Sequence, residues 1–380
     1  FARALVMAAL RNLGPIDRAL AACLQRDPPE AVRMILRLGA AQLFNLDTPA
    51  YAAVDSSVAL AEAAPATRGF KALVNAVLRR LGRERERTSA PADFAPPWLY
   101  ARWRAAYGEA GADGIAAVIA AEPPADLTPR DADDAAALAE VLEATMLPGG
   151  SLRRPGGGRV EDWPGFAEGR WWVQDAAAAM PARLLAVQPR ETALDLCAAP
   201  GGKALQLAAA GAAVVALDRS AGRLSRLADA LARTGLAAEI VAADAERWDD
   251  ARQFDAVLLD APCTSSGTFR RNPDVLWTLR PGDIVKLAQV QSRLLDAAAG
   301  RVKPGGRLVY CVCSLEPEEG EAQARAFLTR HPEFATALAA PGEGGAPTAS
   351  LTPEGWLRLL PHQLNGGMDG FFVARFKRQP

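Results

Sequence analysis

The sequence predicts an α/β protein: a doubly wound parallel sheet preceded by an all-helical domain and a small α+β connector. Three observations predict this class, namely helical periodicity over residues 1–82, mixed signals over 93–170, and alternating strand and helix patterns over 171–380. The chain has 380 residues, half of them apolar and 23% charged, which suits globular domains but exceeds one average domain. We therefore expect three domains with these boundaries.

The first domain is predicted to be entirely helical. Its opening segment, Phe1–Leu24, is apolar but interrupted by charges, which favours a pair of amphipathic helices over a signal peptide. Further helices are expected from Pro29, over Ala50–Ala63 and over Gly69–Leu81, with Gly82 as the stop and Arg83–Ala92 as a charged linker. No run of about 18 uncharged apolar residues occurs, so no membrane span is expected.

The connector has weaker signals. A helix is expected to start at Pro96 and Pro97, another covers Ala132–Glu143, and Ala125–Arg130 is a candidate strand. Residues 148–170 are rich in glycine and proline and show little periodicity.

Short apolar runs in the last domain predict the parallel sheet. The predicted strands are Ala193–Cys197, Ala213–Asp218, Glu239–Ala243, Ala256–Asp260 and Arg307–Cys313, with an antiparallel strand over Gly370–Phe376 at the edge. Strands of this kind are buried on both faces of a doubly wound sheet. The ligands of such sheets bind beyond the carboxyl ends of the strands.

A glycine-rich turn follows the first of these strands. It reads Cys197-Ala198-Ala199-Pro200-Gly201-Gly202-Lys203 and leads into a helix. Glycines let a ligand approach the backbone, and a helix N-terminus offers free amide donors. A dinucleotide fingerprint is absent, and Cys197 and Ala204 occupy positions where a phosphate-binding loop requires Gly and Ser or Thr. Phosphate binding is therefore disfavoured.

Acidic residues follow the next three strands and favour a different ligand. Asp218, Asp244 and Asp260 would form an acidic rim at one edge of the sheet. Such a rim suits S-adenosyl-methionine, which carries two ribose hydroxyls, an adenine amino group and a sulfonium. The alternative is that these are ordinary strand-end acids that cap helices.

Five cysteines occur, at positions 23, 197, 263, 311 and 313, with no CxxC pair and only two histidines. This pattern argues against a disulfide framework and against a zinc site, so we expect no metal and a reducing, cytoplasmic setting. Most such cysteines are small buried hydrophobes, which is the expectation for Cys23 and Cys311.

Cys263 and Cys313 are different because each follows a predicted strand. A thiol is the nucleophile needed to methylate C5 of cytosine, since its addition to C6 makes C5 reactive. The pattern therefore predicts a cytosine-C5 methyltransferase acting on RNA, in which Asp260 meets the N3/N4 edge of the base. Either cysteine could be the nucleophile on this reasoning.

Four motifs resemble the Nol1/Nop2/Sun family of RNA 5-methylcytosine methyltransferases. They are Cys197–Lys203, then Asp260-Ala261-Pro262-Cys263 with Arg270-Arg271-Asn272-Pro273-Asp274, then Tyr310-Cys311-Val312-Cys313-Ser314 with Glu316–Glu321, and finally Asp369-Gly370-Phe371-Phe372-Val373-Ala374. The resemblance covers roughly residues 171–376 and implies a Rossmann-like methyltransferase domain. It implies that Cys313 is the nucleophile, that Cys263 assists product release, and that the Cys197–Lys203 turn with Asp218, Asp244 and Asp260 holds the cofactor. Ala204 and Val312 depart from the family, which usually has Thr at both positions.

The front end resembles a NusB-like helical domain through Ala53-Val54-Asp55 and the run Phe70–Arg79. Its fusion to this core resembles the bacterial Sun/Fmu group of the family, which implies methylation of a cytosine in 16S ribosomal RNA. The partner is then this RNA or a small-subunit assembly intermediate, and the chain is expected to be a monomer. Two alternatives stay open: a transfer-RNA cytosine-C5 methyltransferase and a non-catalytic ribosome-assembly or RNA-binding factor.

The charge distribution also suggests an RNA partner. Residues 1–90 contain 13 Lys and Arg against 8 Asp and Glu, although the whole chain has a net charge of −1. Candidate phosphate contacts are Arg79, Arg80, Arg83, Arg85 and Arg87 at the end of the helical domain, and Arg270 and Arg271 near Cys263. A solvated helix surface is the alternative for the first group. The target cytosine would have to be unstacked to reach a thiol.

Overall fold

The computed structural model describes residues 1–46, 48–84 and 89–380, so Arg85 and Arg87 lie outside the described residues. It divides into two compact units. The first unit comprises Phe1–Glu122 and Arg271–Trp277, and the second comprises Pro123–Arg270 and Thr278–Pro380. The three domain boundaries expected above stay a prediction.

Helices build the first unit, as predicted. They are α1 Ala2–Arg11, α2 Leu13–Ala21, α3 Glu30–Asn45, α4 Ala50–Ala63, α5 Pro65–Arg68, α6 Lys71–Arg83 and α7 Pro97–Ala117. Their apolar faces enclose a core in which Leu36, Val74 and Leu78 are fully buried. The predicted stop at Gly82 is wrong, because α6 continues to Arg83. Burial of Leu81 holds the last turn in place, and this packing outweighs the cost of a helical glycine, which is about 1 kcal/mol.

The second unit begins with a small antiparallel sheet. Its elements are β1 Ala125–Pro129, α8 Ala135–Val141, β2 Thr145–Met146, β3 Leu152–Arg154 and β4 Trp171–Val173, with strand order β2-β3-β1-β4. The predicted strand over Ala125–Arg130 is confirmed. β2, β3 and β4 were not predicted, because strands of two or three residues are too short to show alternation.

An eight-stranded sheet forms the rest of the unit. Its elements, with the helices around them, are α9 Ala176–Leu185, β5 Thr192–Leu196, α10 Gly202–Ala209, β6 Ala213–Asp218, α11 Ala221–Thr234, β7 Glu239–Ala242, β8 Phe254–Asp260, α13 Pro281–Ala299, β9 Val302–Val312, α14 Glu321–Arg330, β10 Phe334–Thr336, β11 Leu357–Leu359 and β12 Phe371–Arg378. The short helix α12 Val275–Thr278 begins in the first unit. The strand order is β10-β12-β9-β8-β5-β6-β7, and β11 pairs with β12.

The strand order of the larger sheet indicates where a ligand site is expected. The strands β9, β8, β5, β6 and β7 run parallel, and β12 runs antiparallel to β9, as predicted. The prediction that this last strand closes the edge of the sheet is wrong, because β10 and β11 pair with β12. The chain moves outward from β5 in one direction and returns to β8 on its other side, so a topological switch point lies between β5 and β8. Ligands bind beyond the carboxyl ends of strands at such a point. In the described part of the chain, no helix is long and apolar enough to cross a membrane.

Candidate active site

A cavity of about 340 Å³ opens at the carboxyl ends of β5, β6 and β8. Its lining includes both candidate cysteines, Cys263 and Cys313, and all three predicted acids, Asp218, Asp244 and Asp260. Residues from six separate stretches of sequence thus meet at the switch point. Two residues of the glycine-rich turn, Cys197 and Ala199, also line the cavity.

The glycine-rich turn is fixed to the neighbouring strand and helix. The Ala198 amide donates to the Leu217 carbonyl at 2.9 Å, and the Ala199 amide donates to Asp218 Oδ2 at 3.2 Å. Gly201 precedes α10 with φ +119°, and a Cβ atom there would lie 2.5 Å from Leu227 Cδ1. Glycine is therefore required at this position by both backbone conformation and space.

Asp218 and Asp244 differ in their surroundings. Asp218 is 2% exposed, its Oδ1 accepts from the Ser220 amide at 2.9 Å, and its Oδ2 lies 3.4 Å from Arg223. Asp244 is exposed, and its Oδ1 accepts from the Glu246 amide at 3.0 Å. Asp218 is thus held in one orientation, whereas Asp244 is the more accessible acid of the cavity rim.

An ion pair joins the turn to the end of β8. Lys203 Nζ lies 2.7 Å from Asp260 Oδ2, and the Cys311 thiol lies 3.4 Å from Asp260 Oδ1. Burial acts to lower the pKa of Lys203, but the charge and hydrogen bond of Asp260, together with Cys311 and Asp195, raise the pKa above its ordinary value. Lys203 therefore places a fixed positive charge beside Asp260.

Asp195 in β5 is a further buried acid that the sequence analysis did not select. Its side chain is fully buried, and neither carboxyl oxygen has a hydrogen-bond partner among the described residues. Burial raises its pKa well above the ordinary value, and the charge of Asp260 adds to this effect. The sequence signal that could have identified Asp195 is its position in a buried strand, two residues before the glycine-rich turn. A carboxyl group in a buried strand needs a polar partner.

The two cysteines lie together. Cys263 Sγ and Cys313 Sγ are 3.5 Å apart, and Cys313 Sγ lies 3.6 Å from Ser265 Oγ. The hydrogen bond between the thiols raises the pKa of Cys263, and burial raises it further. The same bond lowers the pKa of Cys313; burial and Asp260 oppose that effect, and Ser265 and Lys203 reinforce it. The pair therefore favours a thiolate on Cys313 and a thiol on Cys263.

The thiols of Cys197 and Cys311 are less easily ionised than an ordinary cysteine. Burial raises the pKa of Cys197 to about 12 and that of Cys311 well above its usual value. Cys311 is fully buried, as predicted, and its contact with Asp260 was not foreseen.

Arg270 does not lie where a phosphate contact requires it. It is 3% exposed, its Nη2 donates to the Gly366 carbonyl at 2.7 Å, and its Nη1 lies 3.7 Å from Asp175. This arginine sits in the interior of the second unit, contrary to our expectation of a surface contact. The other candidates among the described residues are exposed and belong to the first unit, and their contact with RNA stays a prediction; they are Arg79, Arg80, Arg83 and Arg271.

The two departures from the expected motifs lie away from the cavity surface. Ala204 and Val312 are both fully buried, and neither lines the cavity. Their replacement of Thr therefore leaves the cavity walls unchanged.

Comparison with known proteins identifies two regions. Residues 182–377 match the family model of 16S rRNA methyltransferase RsmB/F, and residues 1–83 match that of the NusB family. The methyltransferase match contains every cavity residue discussed above. The NusB match contains Arg79 and Arg80.

Whole-length relatives agree. The ribosomal RNA small subunit methyltransferase B of Pseudomonas syringae pv. tomato is 37% identical, over 94% of this chain and 84% of its own. That of Salmonella arizonae is 37% identical, over 90% of this chain and 81% of its own. A solved methyltransferase homologue from Pyrococcus horikoshii superposes with a TM-score of 0.62 at 25% identity, covering 74% of this chain and 95% of that one. The chain therefore belongs to the RsmB/F family of 16S rRNA methyltransferases and is a class I enzyme that uses S-adenosyl-methionine.

Proposed function

We propose that this protein methylates C5 of a cytosine in 16S ribosomal RNA through a covalent bond between Cys313 and C6 of the base. The observation that carries the proposal is the thiol pair at the cavity, with its sulfur atoms 3.5 Å apart and Asp260 on the same wall. Methylation at a nitrogen or oxygen needs no thiol, because those atoms have their own lone pairs. Two thiols at the cavity therefore favour carbon as the methylated atom.

The cavity fits the cofactor. An acidic rim can accept hydrogen bonds from ribose hydroxyls and an amino group, and the volume lies in the range of small-molecule sites. Asp218 and Asp244 would hold the adenosine, and the turn from Cys197 to Lys203 would face the rest of the molecule. Asp195, buried without a partner, adds an acceptor close to this turn. When bound, S-adenosyl-methionine supplies the electrophilic methyl group.

Cys313 is the nucleophile in this proposal. The Cys263 thiol donates to Cys313 and stabilises its thiolate, and the Lys203 charge adds to this effect. Addition of the thiolate to C6 forms an S–C6 bond and moves the electron pair of the C5–C6 double bond onto C5. C5 then has the nucleophilic character that the free base lacks.

Cys263 and Asp260 serve the remaining steps. Asp260 lines the cavity beside both thiols and would bind the N3/N4 edge of the base. Release requires that the C5 proton pass to a base such as solvent water and that its electron pair restore the C5–C6 double bond. The S–C6 bond breaks in the same step, and its electron pair returns to Cys313. Cys263, at 3.5 Å from the leaving sulfur, can donate its proton there.

The RNA is proposed to be 16S because the name of the family gives 16S rRNA and the names of the relatives give small-subunit ribosomal RNA. An exposed pair of arginines on α6, Arg79 and Arg80, supplies candidate phosphate contacts. Transfer RNA is the competing substrate.

A methylation assay tests the proposal. Unmodified 16S ribosomal RNA and a transfer-RNA mixture are incubated with the protein and methyl-labelled S-adenosyl-methionine, then digested to nucleosides for mass spectrometry. We expect labelled 5-methylcytidine from 16S RNA, with wild-type protein only and not with Cys313→Ala. Label at another atom of the base, or label in transfer RNA alone, would overturn the proposal.

A further inference from the structure

Glu319 connects the two loops that carry the cysteines. It is fully buried in the segment before α14, six residues after Cys313. The loop after β8 reaches it through Thr264, whose amide donates to Glu319 Oε1 at 3.0 Å and whose hydroxyl donates to Oε2 at 2.5 Å. The loop after β9 reaches it through Ser314, whose hydroxyl donates to Oε2 at 2.5 Å.

A third element meets the same carboxyl group. Gln291 of α13 donates through one amide nitrogen to Glu319 Oε1 at 2.9 Å and to the Pro262 carbonyl at 3.0 Å. Thr264 directly follows Cys263, and Ser314 directly follows Cys313. One carboxyl group thus receives four donor groups and ties together the residues next to both thiols. A buried carboxylate without such partners would be strongly unfavourable.

We propose that Glu319 is a positioning residue that holds the two cysteines at contact distance and keeps their thiols chemically different. The inference rests on the function proposed above, because it concerns the same pair. The Glu319 side chain is fully buried and does not line the cavity. It acts through Thr264 and Ser314, whose positions set the 3.5 Å separation of the sulfur atoms.

The charge of Glu319 acts unequally on the pair. It raises the pKa of Cys263 as one of several causes, after the bond with Cys313 and burial, whereas Asp260 is the acid that acts on Cys313. Glu319 therefore helps to keep Cys263 protonated, and a protonated Cys263 can donate to the Cys313 thiolate.

Other charged and titratable groups face the site from each neighbouring element. They are Asp260 at the end of β8, Lys203 of α10, Tyr310 and Cys311 of β9, and Arg358 of β11. Tyr310 donates through its hydroxyl to the Glu319 carbonyl, and Arg358 donates to the Ser314 carbonyl at 2.6 Å. These contacts involve backbone atoms, so they persist when the Glu319 side chain is exchanged.

Thiol alkylation measured against pH tests the inference without RNA or cofactor. The full chain is treated with iodoacetamide, and peptide mass spectrometry follows Cys263 and Cys313 separately in wild type, Glu319→Gln, Glu319→Ala and Glu318→Gln. Glu318→Gln is the matched control, because it removes the same charge from an exposed neighbour. In wild type we expect Cys313 to react several-fold faster than Cys263 near pH 7, because the contact between the thiols favours the thiolate on Cys313.

Glu319→Gln keeps the shape of the side chain and removes its charge, so we expect the alkylation rates of Cys263 and Cys313 to approach each other. In Glu318→Gln we expect the two alkylation rates to differ as they do in wild type. Glu319→Ala should abolish the preference altogether. An unchanged ratio in Glu319→Gln would overturn the inference. The outcome does not depend on methylation, so failure of the function proposed above would appear separately, as missing 5-methylcytidine with wild-type protein.

Discussion

Lys203 Nζ and Asp260 Oδ2 lie 2.7 Å apart, which joins the glycine-rich turn to the strand end beside Cys263 and Cys313. The Lys203 side chain is 9% exposed, and the Asp260 side chain is 31% exposed. Because Lys203 also lowers the pKa of Cys313, one positive charge serves both the proposed base-binding acid and the proposed nucleophile. The part of the site proposed to bind the cofactor and the part that carries the two cysteines are therefore electrostatically linked.

Replacement of Lys203 tests this link. We expect Lys203→Met to raise the pH midpoint of Cys313 alkylation, because the hydrogen bond from Cys263 would then favour the thiolate without the help of the Lys203 charge. Lys203→Arg retains the charge and should keep the midpoint close to that of wild type. An unchanged midpoint in Lys203→Met would show that the charge does not act on Cys313.

Asp218 is expected to bind the cofactor. Asp218→Ala should raise the dissociation constant of S-adenosyl-methionine about 10- to 100-fold, the equivalent of hydrogen bonds to a charged group worth about 1.5–3 kcal/mol. Isothermal titration calorimetry measures the change. Asp229→Ala, at an exposed position of α11, is the control and should bind as wild type does. Equal affinity of both variants would exclude Asp218 from the cofactor site.

Gly201 is expected to be irreplaceable at the start of α10. Gly201→Ala places a Cβ atom 2.5 Å from Leu227 at φ +119°, so we expect it to lower the free energy of unfolding by about 1–3 kcal/mol and to weaken cofactor binding. Gly222→Ala is the control, because a Cβ atom there meets nothing within 4 Å. Thermal unfolding with and without S-adenosyl-methionine measures both effects. Similar melting temperatures for the two variants would contradict this account.

Asp255 at the start of β8 is expected to contribute to the free energy of unfolding in a way that depends on pH. It accepts from the Thr192 amide at 2.9 Å and pairs with Lys303 at 2.8 Å. Burial acts to raise the pKa of Asp255, but the Lys303 and Thr192 contacts lower it to about 2. The folded state therefore gains stability above the unfolded pKa of about 4 and loses it as the pH falls through about 2.

Asp255→Asn measures that contribution. We expect it to lower the free energy of unfolding by about 1 kcal/mol at pH 7, a value reduced for the one-third exposure of the side chain, and by less at pH 3. Urea unfolding at the two pH values gives the difference. Asp249→Asn, at an exposed position, is the control. A loss as large at pH 3 as at pH 7 would rule out the ion pair as the source.

The sequence located the strand ends well because buried parallel strands are continuous apolar runs. β6 begins and ends where we predicted, and β8 ends at Asp260 as expected. The switch point, and with it the acids and cysteines of the cavity, follows from those ends. The short strands β10 and β11 were missed because pairing with β12, rather than their own pattern, defines them.

Interior polar contacts were less accessible to sequence reasoning. Arg270 lies beside a motif expected to meet RNA, yet Gly366 and Asp175, far away in sequence, hold it in the interior. Glu319 lies in an acidic run where every glutamate looks alike in sequence. Only the folded structure shows that Thr264, Ser314 and Gln291 converge on it. The surroundings of Arg270 and Glu319 are both set by contacts with other segments of the chain, which the local sequence does not show.

Formation of a stable adduct tests the central claim most directly. An RNA substrate with 5-fluorocytidine has fluorine in place of the C5 proton, so release cannot proceed and the S–C6 bond should persist. With S-adenosyl-methionine we expect a covalent protein–RNA band from wild type, from Cys263→Ala and from the control Cys23→Ala, and none from Cys313→Ala. A band that persists in Cys313→Ala and disappears in Cys263→Ala would contradict the assignment of Cys313 as nucleophile.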